Sequence, residues 1–193
     1  GMVRLLRLDL RLLLLRGGGR VAMRFPLALI LMLWVFVAAL IAVNAVGDIV
    51  DPATGRVVAG VRTPDGTGLA DARKLLRSGA TERPNPAENT TIGVVATNAA
   101  LTKTQATKVA QMAHDGYARA IVPAHTMGDG DVIFALATGR HVGDADVTLI
   151  GALAAEAVAD AILRAVREAT GLPNLPAVRD LAGTLLQQLE IVA

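Results

Sequence analysis

Between residues 89 and 96 the chain reads Asn89-Thr90-Thr91-Ile92-Gly93-Val94-Val95-Ala96. A Pro-rich polar linker, Ser78 to Glu88, runs straight into this stretch. The apolar residues from Ile92 onward have the character of a buried strand. Two hydroxyl side chains therefore stand at the head of a strand, directly after a loop open to cleavage. A threonine hydroxyl is a weak nucleophile until a base takes its proton, and one available base is the residue's own α-amine. That amine, with an ordinary pKa of about 8, needs only a modest downward shift to act at neutral pH. It exists only once the peptide bond from Asn89 to Thr90 is broken, so scission there would create a site. Taken alone, the triplet is more often an ordinary strand start than a nucleophile, and it also fits an Asn-x-Thr glycosylation acceptor.

The composition narrows the classes. With 193 residues the chain is long enough for one domain with a real core. There is no cysteine, so disulfides and thiolate metal sites are excluded. His114, His125 and His141 are scattered along the sequence and suggest no metal cluster. A net charge of +2, with three Phe, one Tyr and one Trp, argues against a nucleic-acid partner.

Residues 1 to 24 are mostly Leu, Arg and Gly, and an uncharged run from Phe25 to Gly47 follows. Read by itself, this is a basic flank before a membrane-spanning or signal-anchor helix over residues 25–46. The competing expectation is a buried strand over Leu40 to Val46, then a turn at Gly47-Asp48. Arg56 to Val61 alternates weakly as a hairpin strand, and Asp71 to Leu76 suits a short helical turn. Thr102-Lys103-Thr104-Gln105 is a capping box opening a helix to about Ala120. Its buried face comprises Ala106, Val109, Ala110, Ala113, Tyr117 and Ala120, with His114-Asp115 beside it as a structural pair. Gly128-Asp129-Gly130-Asp131 leads into a second buried strand, Val132 to Ala137. Asp144 or Asp146 caps a helix from Val147 to Thr170, with Ile150, Leu153, Ala154, Ala157, Val158, Ala161, Ile162 and Ala165 as its apolar stripe. Gly171 is placed to end it as the C′ residue, before Pro173. Small-residue helices against apolar strands indicate an α/β layered domain.

The runs NTTIGVVATNAALTKTQATKVAQMAHDGYARAI and HTMGDGDVIFALATG, in this order, resemble the β-subunit of the DmpA-type L-aminopeptidase/D-esterase family. That family includes β-peptidyl aminopeptidases and nylon-oligomer hydrolases. VNAVGDIVDPATGRVVAG resembles the end of its α-subunit, and GLPNLPAVRDL its C-terminal tail. The resemblance covers roughly Ala39 to Leu181 and implies an αββα sandwich, here incomplete. It divides the chain into a divergent basic and hydrophobic segment (1–38), an α-subunit-like end with linker (39–89) and a β-subunit-like part (90–193).

The same resemblance implies an autoprocessing N-terminal-nucleophile aminopeptidase or amidohydrolase, cleaving itself between Asn89 and Thr90. Thr90 would be the nucleophile, with Thr91 the alternative if the cut falls one residue later. Asn44 would hold the oxyanion, and Asp129 and Asp131 would orient the threonine and tune its amine. No metal or cofactor is implied, the substrate is a peptide or small amide, and a homo-oligomer in the cytoplasm is expected. The family's longer α-subunit also supplies a Tyr and a Lys that have no counterpart by sequence; the chain's Tyr117 lies on a helix. An inactive family remnant, and a non-enzymatic protein anchored in a membrane through residues 25–46, are the alternatives.

Overall fold

The computed structural model describes residues 34–66, 68–79, 89–173 and 175–181. Its elements are β1 (Val37–Ala42), β2 (Asp48–Val50), β3 (Val57–Ala59), α1 (Ala72–Arg77), β4 (Ile92–Thr97), α2 (Lys103–Ala120), β5 (Ile121–Val122), β6 (Val132–Ala137) and α3 (Val147–Glu168). Most of the linker before Asn89, and the apolar C-terminal residues 182–193, lie outside the described residues.

The main sheet has the order β1-β4-β6, with β4 in the middle. β1 runs antiparallel to β4 and places Leu40 opposite Val94; β6 runs parallel to β4 and places Phe134 opposite Val94. A parallel pair needs a crossover, and α2 supplies it. The strand expected over Leu40 to Val46 falls at Val37–Ala42, leaving Asn44 beyond its end. Residues 37–42 are thus sheet rather than membrane helix. Among the described residues no helix is long and apolar enough to cross a membrane.

Strand residues alternate between faces. One face, with Val95 and Ile133 nearly inaccessible, packs beneath α2 and α3. The opposite face exposes Leu40, Ile92, Phe134 and Leu136. Such strands are apolar on both faces, as strands covered on both sides are, but among the described residues only one face is covered.

α2 begins as expected. Thr102 accepts from the Gln105 N–H, and the Gln105 side chain accepts from the Thr102 N–H. Asp146 caps α3 by accepting from the N–H groups of Thr148 and Leu149, which settles the choice between Asp144 and Asp146. The helix leaves α geometry at Ala169, in extended conformation, so Gly171 is not its left-handed terminator. The buried stripe of α3 is also turned from the expected one. Ile150, Ala154, Val158 and Ile162 are buried, joined by Gly151, Ala155, Ala159 and Leu163, while Leu153 is at the surface. The cause is the close approach of α2. A Cβ on Gly116 would collide with the Ala155 carbonyl oxygen and with Val158, and one on Gly151 with Met112. Small residues set that contact, and a helix with apolar residues almost all round can rotate to use them.

A second sheet, β3-β2-β5, is joined to α1 by Asp48. This fully buried carboxylate accepts from the Val61 and Ala72 N–H groups, at 2.8 and 2.5 Å. A buried charge is tolerated when its lone pairs are satisfied in this way. Gly60, at φ 151°, leaves no room for a Cβ beside that carboxylate.

Candidate active site at the heads of two parallel strands

β4 and β6 pair with a constant offset, Ile92 opposite Val132 through Thr97 opposite Ala137. The same register continues before the strands, where Asn89 bridges Asp129. Gly130 N–H donates to the Asn89 carbonyl at 3.1 Å, and Val132 N–H to the Thr91 carbonyl at 3.1 Å. Parallel pairing is therefore what sets the Thr90-Thr91 dipeptide beside Gly130-Asp131, forty positions away in sequence.

Thr90 is partly buried, with its hydroxyl directly over Gly130; a Cβ there would come within 2.5 Å of Thr90 Oγ1. Glycine at 130 is thus a condition for the threonine side chain to lie where it does. Thr91 is fully buried. Its N–H donates to Asp131 Oδ1 at 2.9 Å, and its Oγ1 accepts from the Asn44 backbone N–H at 3.4 Å. The hydroxyl of Tyr117 lies 3.2 Å from the carbonyl oxygens of both Thr91 and Val132. Burial, and secondarily the Asp131 carboxylate, push the Tyr117 phenol well above its usual pKa, so it remains a neutral donor.

The two acids divide their work. The Asp131 side chain is 4% exposed and turns to Thr91, with Oδ2 3.9 Å from His125 Nδ1. Asp129 Oδ2 instead accepts from the Thr126 N–H and hydroxyl at 2.8 and 2.7 Å, bracing its own loop. Asn44 is exposed, and the group it directs to Thr91 is its backbone N–H. The structure thus gathers Thr90, Thr91, Asp131 and the Asn44 main chain, while the Asp129 carboxylate points to Thr126.

Three side chains join this cluster without any local sequence signal. Tyr117 was legible as a buried helix residue but not as a partner of the strand heads. His114 and His125, eleven residues apart, bring their rings to 5.2 Å of each other. Burial, then the neighbouring His125, lower the pKa of His114, while Asp131 and Asp115 act in the opposite sense. Among the described residues, no group of three His, Asp or Glu is placed to hold a metal ion. An open cavity of about 370 Å3 lies at the other end of the sheet, against Leu101, Thr102, Ala137 and Thr138, away from Thr90.

The sequence model of peptidase family S58 matches residues 30–176. The chain belongs to peptidase family S58. This is the DmpA/β-aminopeptidase family indicated by the motifs around Thr90 and Asp131. An uncharacterized aminopeptidase of Mycobacterium tuberculosis is 39% identical over 168 residues, covering 76% of this chain and 48% of that protein. A 6-aminohexanoate-oligomer endohydrolase of Kocuria sp. is 31% identical over 144 residues, covering 68% of this chain and 41% of that protein. A Burkholderia sp. β-aminopeptidase structure superposes with a TM-score of 0.37 at 23% identity, covering 70% of this chain and 42% of that one. The S58 chain described here spans less than half the length of each of these relatives.

Proposed function

We propose that this S58 chain carries the nucleophile-bearing part of an autoprocessing amidohydrolase, with Thr90 as nucleophile. The observation that supports this most is the Thr90 hydroxyl seated on Gly130, one residue from an N–H bonded to the buried Asp131 carboxylate. In maturation, Thr90 Oγ attacks the Asn89 carbonyl carbon, and the bond to the Thr90 nitrogen breaks as that nitrogen takes a proton. Water then hydrolyses the ester, leaving the Asn89 carboxylate and a free Thr90 amine. That amine next serves as base while the same hydroxyl attacks a substrate amide; the leaving amine departs protonated, and water releases the acyl group.

Asp131 is well placed to favour the ammonium form of the amine, and thereby to tune its pKa. By family likeness the Asn44 side-chain amide is the candidate donor to the tetrahedral oxygen; losing one such donor typically slows a reaction about 100- to 1000-fold. Asp129 shapes the loop that presents Gly130. Thr91 is the weaker candidate nucleophile, because it is buried with its hydroxyl engaged by the Asn44 N–H. The names of the relatives, aminopeptidase and 6-aminohexanoate-oligomer endohydrolase, favour a peptide or small amide substrate. The apolar face of the main sheet that the described residues leave open favours a layered αββα arrangement in which further protein packs on it, and family likeness favours a homo-oligomer.

The test uses Thr90→Ala and an aminoacyl anilide substrate. Loss of hydrolysis by about 1000-fold or more is expected, as for removal of a covalent nucleophile. Undiminished hydrolysis by Thr90→Ala overturns the assignment. Normal scission with no acyl-enzyme trapped by an active-site probe would instead identify an inactive family remnant.

A further inference from the structure

The loop before β6 holds His125 at φ 57°. A residue other than glycine is uncommon there and persists when its surroundings determine it. Those surroundings are rings and one acid. The His125 ring lies 5.2 Å from that of His114 and 6.2 Å from that of Tyr117, and His114 meets Tyr117 edge-on at 5.4 Å. Its Nδ1 lies 3.9 Å from Asp131 Oδ2. The His125 side chain is 42% exposed and that of Asp131 4% exposed. Solvent protons therefore reach the imidazole readily while the carboxylate is shielded. One buried carboxylate thus stands between an imidazole that can exchange protons and the Thr91 N–H, whose nitrogen is bonded to the carbonyl carbon of Thr90.

We propose that His125 is a positioning residue, whose imidazole steers the Asp131 carboxylate at the Thr90-Thr91 strand head and couples that site to pH. Its functional half rests on Thr90 being the nucleophile; the His125–Asp131 contact does not. With the imidazole neutral, the full negative charge of Asp131 acts on the strand head and favours a protonated amine at Thr90. With the imidazole protonated, that charge is offset and the amine gives up its proton more easily. The titratable groups facing His125 are Asp131 from the head of β6, and His114 and Tyr117 from α2. Asp115 acts on His114 from the same helix, and Asp129 is turned to Thr126.

Two measurements on the full 193-residue chain test this. The first follows the imidazole resonances of His114, His125 and His141 against pH by NMR, in a Thr90→Ala background that keeps the chain intact. Asp131→Asn should shift the His114 midpoint down, through loss of the attracting carboxylate. His125→Asn should shift it up, through loss of the neighbouring cation; asparagine tolerates the left-handed backbone. A midpoint unmoved by both substitutions overturns the proposed coupling, whatever the role of Thr90.

The second follows the rate of aminoacyl-anilide hydrolysis by the processed chain as a function of pH, since the Thr90 amine exists only after scission. The native chain should show an inflection in the histidine range. His125→Asn should lose it through permanent neutrality, and His125→Lys through permanent charge. An inflection that survives in both variants overturns the role of His125. Absence of scission in the native chain overturns the Thr90 reading and with it the functional half, while the His114 midpoints still decide whether His125 and Asp131 act on one titrating neighbour.

Discussion

Thr90 and Thr91 share a residue type and are neighbours, yet the fold gives them different tasks. Thr90 keeps partial access and rests on a glycine; Thr91 is buried, with its N–H, carbonyl and hydroxyl all bonded. Thr91→Val should therefore read out mainly as stability. It removes a buried hydroxyl that accepts from Asn44 N–H, and unfolding should become easier by about 1–3 kcal/mol in denaturant titration. His114 makes a second residue-scale prediction. Burial holds its folded pKa below the unfolded value, so the unfolded state binds more protons between the two. Its contribution to stability is present above the unfolded pKa and is lost as pH falls through the folded one. The midpoint denaturant concentration should drop on acidification below neutrality, and His114→Gln should flatten that drop.

Helix ends and strand registers differ in how much of them is local, which is why the sequence revealed one better than the other. The α2 capping box needs only Thr102 and Gln105, three residues apart, and it forms as read. The termination of α3 and the face it buries depend on a partner, and there the structure departs from the periodicity. Its residues are apolar on most sides, so periodicity leaves the rotation open, and Gly116 and Gly151 resolve it by close packing. Gly116→Ala should accordingly cost about 1–3 kcal/mol by overpacking, measured by thermal or denaturant unfolding. The site was legible in the same partial way. Family resemblance pointed to both strand heads, and the parallel register of β4 and β6 joins them. Nothing local in the sequence foretells that His125, His114 and Tyr117 gather around Asp131, because that contact needs a loop and a helix face to meet.

Taken whole, the described chain is built on a main sheet covered on one side by α2 and α3, with apolar side chains bare on the other. An apolar face of this kind ordinarily meets other protein. Exposed Phe134 and Leu136 contribute little to folding of the covered side, so replacing both with Lys should change its unfolding free energy by only about 0.5 kcal/mol. The same substitution should reduce binding of a hydrophobic dye to the native protein. Family membership extends across residues 30–176, on both sides of the proposed scission point. Scission at that point is what would make Thr90 an active residue. Intact mass spectrometry of the purified chain, before and after incubation, tests it most directly. Two fragments meeting between Asn89 and Thr90 are expected, with Thr90→Ala remaining whole; a single full-length mass that persists on prolonged incubation, the same as for Thr90→Ala, would rule out self-scission there.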